Sequence, residues 1–421
     1  MTVINHETFV LNMPEAVKII INEIQKHGME AYAVGGCVRD TLLGKVPDDW
    51  DLTTSALPED IKAIFNKTID TGIAHGTVTV MIEKIGYEVT TYRIDGEYED
   101  GRHPKSVEFS ARLLDDLCRR DFTINAMAFN EKCGLVDEFG GINDLNAHII
   151  KCVGDPVMRF TEDALRMMRA IRFSAQLGFV IEENTWNAIL KLAPNIKKIS
   201  MERVHVELGK TLMSDNPDYV YKYAESQLFA PILPSLSEAL TGRYSKRILA
   251  TLRRVRKDIS LRYAALLSTH SGAEAASVLR ALKLDNKLID TVSKLVDLNK
   301  TDIEETEPAV RTALNKYGKE FLPLLYEFIE AQVYASEEIT GISNPGKIKH
   351  LNTLRRLGKE ILERGDCYTI KNLDISGNDL IEYGLSGKEI GKTLDALLKV
   401  VIENPKLNDK ATLVAMIEHL K

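Results

Sequence analysis

The sequence predicts an α+β protein, a mixed α/β portion of about 130 residues leading into an almost wholly helical remainder. Three observations carry this. Strand-like runs separated by helical stretches fill the first 130 residues or so. Gly154-Asp155-Pro156 marks a change of pattern, and from there the apolar period is helical almost throughout. At roughly 100–200 residues per domain, the 421 residues make two to four domains.

The elements follow in order. Pro14 to His27 reads as an amphipathic helix, because Val17, Ile20, Ile21 and Ile24 keep the i, i+3, i+4, i+7 spacing and Gly28 stops it. Ala31-Tyr32-Ala33-Val34 is an apolar strand, followed by the turn Gly35-Gly36 and a short helix starting near Val38. Asp49-Trp50-Asp51-Leu52 reads as a strand, with a helix after Ser55. Thr77–Ile82 and Tyr87–Arg93 form a hairpin, Ile94–Pro104 is a polar mobile loop, and Val107-Glu108-Phe109 is a further strand. Thr161 reads as the N-cap of a helix running from Glu162 to Phe173. Pro231, Pro234 and Asn344-Pro345-Gly346 break the helical half into subdomains.

Bulk properties narrow the function. Hydrophobic content of 44% and charged content of 27% are those of a globular protein. No run approaches the roughly 18 apolar residues of a membrane span, so no membrane partner is expected. Met1–Glu7 lacks the basic and apolar regions of a secretory signal. The five scattered cysteines contain no C-x-x-C pair and read as free thiols of a reducing cytoplasm. The nine histidines show no zinc-hydrolase spacing. A net charge of −7 argues against a coat of positive charge for long nucleic acids, but leaves room for local RNA-gripping patches.

The chemistry concentrates around Asp49 and Asp51. Alternation along an extended chain puts both carboxylates on one face and Trp50 on the other. Carboxylates that close repel unless a cation lies between them, and hard oxygen ligands with room for phosphate oxygens suit Mg²⁺. The Gly35-Gly36 turn lets backbone N–H groups approach a phosphate chain, with Arg39 as its clamp. Glu88, on a later strand, is a third carboxylate that would complete a two-metal site. The local expectation is a metal-dependent site for a nucleoside triphosphate.

The motifs together resemble a known family. Gly35-Gly36-x-Val38-Arg39-Asp40 followed by Asp49-x-Asp51 looks like the nucleotidyltransferase head of the polymerase β superfamily. Gly72-x-x-His75-Gly76-Thr77 and Glu88–Arg93 follow at the spacing of class II tRNA nucleotidyltransferases. Arg119–Ala128 resembles that family's link from head to neck, and Glu162-Asp163-x-x-Arg166 resembles its base-reading motif. The likeness covers at least residues 30 to 210, and bacterial poly(A) polymerases share it.

The resemblance implies a polymerase β-like head over residues 1–140, then an all-helical neck (141–212), body (213–335) and tail (336–421). It implies template-independent addition of C, C and A to the 3′ end of tRNA from CTP and ATP, with Mg²⁺ and release of pyrophosphate. Asp49, Asp51 and Glu88 would be catalytic, the first two as metal ligands. Gly35, Gly36, Arg39 and Arg120 would bind the nucleotide, with Arg169 and Arg172 near its phosphates or the floor of the site. Asp163 only accepts hydrogen bonds and Arg166 only donates them, so the pair fits the amino group and ring nitrogen of cytosine and adenine and mismatches uracil and guanine.

Asp121 and Asn125 fall where a ribose or a neck hinge would be, and equally suit local capping. The loop at Ile94–Pro104 is full length, which disfavours an enzyme that adds only the two cytidines. Addition of the terminal A alone, polyadenylation and a non-catalytic RNA-binding relative are the alternatives. His75–Val80 favours tRNA repair over polyadenylation, and no H-D phosphohydrolase signature predicts an added phosphatase. RNA contacts are expected from Arg243, Lys246, Arg247, Arg253, Arg254, Arg256, Lys257 and Arg262, from Lys347, Lys349, His350, Arg355, Arg356 and Lys359, and from the glycine-bearing tail after Leu373.

Overall fold

The computed structural model describes residues 11–96 and 107–420, and the chain divides into two units, Met1–Gly242 and Arg243–Lys421. In the first, helix α1 (Glu15–Lys26) buries Val17, Ile20, Ile21 and Ile24, and Gly28 ends it with φ +81°. Strand β1 (Ala31–Val34) leads through Gly35 into α2 (Gly36–Leu42). Strand β2 (Leu52–Thr54) and α3 (Pro58–Ile64) precede β3 (Thr68–Gly72), β4 (Thr77–Ile82), β5 (Ile85–Thr91), β6 (Arg93–Asp95) and β7 (Val107–Phe109). Helix α4 (Leu113–Cys118) follows, with β8 (Ala128–Asn130) and β9 (Gly134–Val136) after it.

Seven strands make one sheet in the order β3-β4-β5-β2-β1-β8-β9. The β4–β5 hairpin turns at Glu83-Lys84, both at positive φ. Strand β2 runs parallel to β5, with Leu52 opposite Val89, and antiparallel to β1. Tyr32, Val34, Tyr92, Leu113, Leu117 and Ala128 form a core cluster that packs α4 onto the sheet.

Three expectations shift here. Asp49, Trp50 and Asp51 lie outside any strand, since β2 begins at Leu52; only the Asp51 carbonyl, accepting from Val34 N–H at 3.0 Å, still joins the β1 ladder. Strands β3, β8 and β9 are additions to the strands read from sequence; β3 exposes Ile69, Asp70 and Thr71 at the sheet edge. Of the loop expected at Ile94–Pro104, Ile94 and Asp95 are in β6, paired to β7, and residues 97–104, Arg102-His103-Pro104 included, lie outside the described residues.

The helical part of the first unit comprises α5 (Gly141–Asn146), α6 (Pro156–Glu162), α7 (Leu165–Leu177), α8 (Glu183–Leu192), α9 (Met201–Leu212), α10 (Tyr221–Glu225) and α11 (Pro234–Thr241). A small parallel pair, β10 (Ile149–Ile150) and β11 (Val180–Ile181), ties α5 to the end of α7. Asp155 caps α6 by accepting from Val157 N–H, with Pro156 as its first residue.

Among its described residues the second unit has no strand and is built of the helices α12 (Ser245–Arg254), α13 (Ile259–Leu266), α14 (Gly272–Ala281), α15 (Asn286–Leu298), α16 (Glu307–Tyr317), α17 (Phe321–Thr340), α18 (Pro345–Arg364), α19 (Gly377–Glu382), α20 (Lys388–Glu403) and α21 (Lys410–Leu420) with short connections. Among the described residues no helix is long and apolar enough to cross a membrane.

Candidate active site

The site starts at the C-terminal end of β1. Gly35 adopts φ 81° and ψ −126°, a conformation closed to residues with a Cβ. A Cβ there would lie 2.9 Å from the Arg120 guanidinium, so the turn and Arg120 touch. Since Val34 is bonded to Asp51, the turn also lies beside the acidic pair. Trp50 is buried while Asp49 and Asp51 are exposed, the alternation expected even without a strand.

Although Asp51 keeps its access to solvent, desolvation by the protein around it raises its pKa; the Arg120 charge opposes the shift and the neighbouring Asp49 adds to it. Two neighbouring hard oxygen donors that repel each other beside a glycine turn suit a divalent cation. Glu88 is exposed on β5, one residue before Val89, the register partner of Leu52. It does not close with Asp49 and Asp51 into one cluster: among the described residues no three His, Cys, Asp or Glu side chains gather at metal-binding distance.

A buried acid, Asp116 of α4, organises the cations around the turn. It accepts from Arg119 at 2.5 Å, Arg120 at 3.0 Å and Thr53 of β2 at 3.1 Å. Burial pushes its pKa up, but Arg120 and Arg119 more than offset that and hold it below the usual range. Arg39 is 7% exposed and engaged with protein: it pairs with Asp40, donates to Asn125 at 2.5 Å, and lies 5.0 Å from the Phe173 ring. The expected phosphate clamp thus faces the head–neck link in this structure.

That link is a chain of charges. Asn125 donates to Asp121 at 3.1 Å, and Asp121 also accepts from Phe122 N–H and from Arg169 of α7 at 2.7 Å. Asp121 thus ties its own backbone turn to α7 and caps no helix, since Phe122 is the N-cap of the turn Thr123–Asn125 that follows. Although burial raises its pKa, Arg169 and Asn125 bring it down to about 2. Arg172 pairs with Glu207 of α9 at 2.5 Å, both buried, and stacks on Phe173 at 3.8 Å. Asp116, Glu207 and Phe173 were not singled out from sequence. Glu207 had one signal, an acid on the face of α9 that carries Val204, Leu208, Thr211 and Leu212.

The base-reading motif corrects two expectations. Thr161 is inside α6, its hydroxyl bonded to the Val157 carbonyl, and is no N-cap. The helix predicted from Glu162 is broken at Asp163, which has φ −139° and ψ 105°, and α7 starts at Leu165. Asp163 and Arg166 consequently turn to different partners. Asp163 accepts from Leu165 N–H at 3.0 Å, capping α7, and from Arg203 of α9 at 2.8 Å. Arg166 donates to Glu162 at 2.5 Å and to the carbonyls of Arg159 and Arg119 at 3.1 and 2.9 Å.

In the second unit the expected RNA-binding cations are largely paired. Arg253 and Arg254 meet Glu338, Arg256 meets Glu327, and Arg262 is buried on backbone carbonyls. Lys347 and His350 meet Asp302, Arg355 meets Glu330, and Arg356 meets Glu360. Arg243, Lys246, Arg247 and Lys349 are exposed. Gly377 starts α19 behind the Ser376 cap, and Gly384 and Gly387 have positive φ.

Comparison with known proteins agrees with this architecture. Residues 31–151 match the family described as poly A polymerase head domain, 178–240 the probable RNA and SrmB-binding site of polymerase A, and 257–417 tRNA nucleotidyltransferase domain 2. The CCA-adding enzyme of Leuconostoc mesenteroides is 36% identical over 93% of this chain and 92% of its own. That of Geobacillus thermodenitrificans is 38% identical over 94% of both. The crystal structure of the Bacillus stearothermophilus CCA-adding enzyme in complex with CTP superposes with a TM-score of 0.73 at 34% identity, covering 96% of each chain. With relatives of that identity matched over nine-tenths of their length, the chain belongs to the CCA-adding enzyme family of class II tRNA nucleotidyltransferases.

Proposed function

We propose that the protein adds C, C and A in order to the 3′ end of tRNA, using CTP and ATP and releasing pyrophosphate. The observation that carries this is the meeting of Asp51, the Gly35 turn and Arg120 in a chain related over 94% of its length to a CCA-adding enzyme. In the reaction the terminal 3′ oxygen bonds to the α-phosphorus, the bond from that phosphorus to pyrophosphate breaks, and the hydroxyl proton is lost. Divalent-metal use comes with the family, and magnesium is the ion we assign. Asp49 and Asp51 would hold it, and bound there it would supply positive charge to the reacting phosphates. Gly35 and Gly36 approach the triphosphate with backbone only, and Arg120 supplies a cation beside them. Glu88 is proposed as the third carboxylate on its strand register, and Asp163 and Arg166 as the base readers, each held by its own partners. Arg39, Arg169 and Arg172 support the floor through Phe173.

Residues 1–140 would be the head, 141–212 the neck, 213–335 the body and 336–421 the tail, working in the cytoplasm where tRNA and the nucleotides are. The test is incorporation into transcripts ending before CCA, after C, and after CC. Ordered C, C, A addition followed by a stop is expected. A alone on the CC-ended transcript would identify an A-adding enzyme, and long A tails on unrelated RNA a poly(A) polymerase. Asp49→Ala is expected to lose at least 100-fold in rate with its melting temperature unchanged; wild-type activity would overturn the metal assignment.

A further inference from the structure

We infer that the second unit holds a nucleotide-binding cavity of its own, built from no residue of the first unit, which takes an adenine nucleotide with its base against α17 and its phosphate toward the ends of α12, α15 and α18. The inference goes beyond the proposed reaction and does not rest on it. The cavity, of about 870 Å³, is enclosed by α12, α15, α17, the start of α18 and the turn joining α13 to α14, all within Arg243–Lys421.

Charge points to a phosphate. Three cations line the cavity: Arg247 in the first turn of α12, Lys300 just after α15 and Lys347 in the first turn of α18. One carboxylate, Asp297, lines it too, and it is engaged with backbone, accepting from Gly272 N–H at 2.6 Å. Lys347 meets Asp302 at 3.0 Å, but Arg247 and Lys300 are exposed and meet no carboxylate among the described residues. Arg247 and Lys347 both stand at helix N-termini, where the dipole disfavours a cation, and an anion between them relieves both.

The rest of the lining suits a base. Val296 of α15 and Ile329 and Val333 of α17 give a flat ring apolar surface. Among them is Gln332, 8% exposed, whose amide makes no hydrogen bond among the described residues. Buried amides in folded proteins are paired as a rule, so one without a protein partner is fitted to a ligand. A glutamine amide offers a donor and an acceptor side by side, the complement of the amino group and N7 of adenine. His270 brings a second unspent polar group: its Nδ1 is buried without a partner, and burial lowers its pKa, so the ring is neutral near pH 7. A free adenine nucleotide and an adenosine residue of an RNA chain share this chemistry, and the test separates them.

The test is equilibrium dialysis of radiolabelled ATP with Mg²⁺ against the full-length wild type, Lys300→Glu and Gln332→Leu, together with filter binding of tRNA to the same three proteins. Two ATP molecules per chain are expected for the wild type and one for each variant, with A addition to a CC-ended transcript within twofold of wild type. That result establishes a site for the free nucleotide. One ATP per chain throughout, with tRNA affinity lowered about fivefold or more in both variants, assigns the cavity to a residue of the RNA. A second ATP that survives in either variant lies elsewhere and overturns the inference. So does a single ATP in the wild type with tRNA affinity unchanged in the variants. Should Gln332→Leu not fold, Lys300→Glu, an exposed position, decides alone by the same outcomes.

Discussion

Asp121 joins two halves of the candidate site through one carboxylate, one oxygen serving Phe122 N–H and Asn125, the other Arg169. Its pKa is brought down to about 2 from an ordinary 3.8, so its contribution to stability is complete above about pH 4 and fades as the pH falls toward 2. Asp121→Asn is expected to cost about 2 kcal/mol at pH 7, read from urea midpoints, with the deficit shrinking below pH 4. A deficit that stays constant down to pH 2.5 would show that shape, not charge, is what the site needs. Gly35 makes a different demand. Gly35→Ala places a Cβ against Arg120 in a backbone region that only glycine occupies freely, so a loss of about 1–3 kcal/mol is expected in thermal melts. A larger proportional loss of incorporation follows, because Arg120 must move. Both acids of the D-x-D and the glycine turn were legible in the sequence, since each depends on neighbours within a few residues. Glu207 was not, since its partner Arg172 is 35 residues away, and Asp116 reads locally as an ordinary helix acid beside Arg119 and Arg120, its burial against Thr53 of β2 coming from 63 residues away.

At the scale of the element, the break between α6 and α7 shows what local rules miss. Glu162 and Asp163 are both good first-turn residues, which favours a single helix start after Thr161. The structure starts earlier, at Asp155-Pro156, and uses Asp163 as a second cap. The first signal was present in the sequence and accounts for α6; the second depends on Arg203 reaching across from α9. Helix α12 presents the opposite case. Arg243, Lys246 and Arg247 cluster at its N-terminal end, where the positive end of the helix dipole disfavours cations. Lys246→Glu with Arg247→Glu is therefore expected to leave stability unchanged or raise it by about 0.5 kcal/mol. The same pair of changes should weaken tRNA binding about tenfold or more, measured by filter binding at fixed salt. Unchanged binding would take α12 out of the RNA surface.

Over the whole molecule, the switch from mixed to helical structure near residue 155 was readable because it rests on apolar period, which survives any tertiary arrangement. What composition hides is pairing. The two basic groups of the second unit contain eight and five Lys or Arg residues, yet Arg253, Arg254, Arg256, Lys347, Arg355, Arg356 and Lys359, seven of the thirteen, meet carboxylates within that unit. A charge census thus overstates the cations ready for phosphate, and the net charge of −7 is the better guide. The consequence is measurable. Each phosphate contact contributes about −0.9 to the slope of log affinity against log salt. Contacts confined to the exposed Arg243, Lys246, Arg247 and Lys349 give a slope of about −3 to −4, whereas engagement of both groups entire would give one near −12. Titrating tRNA affinity between roughly 50 and 200 mM salt distinguishes these. A slope steeper than about −7 would mean that RNA opens the ion pairs to Glu338, Glu327 and Glu330, releasing Arg253, Arg254, Arg256 and Arg355 to the backbone of the substrate.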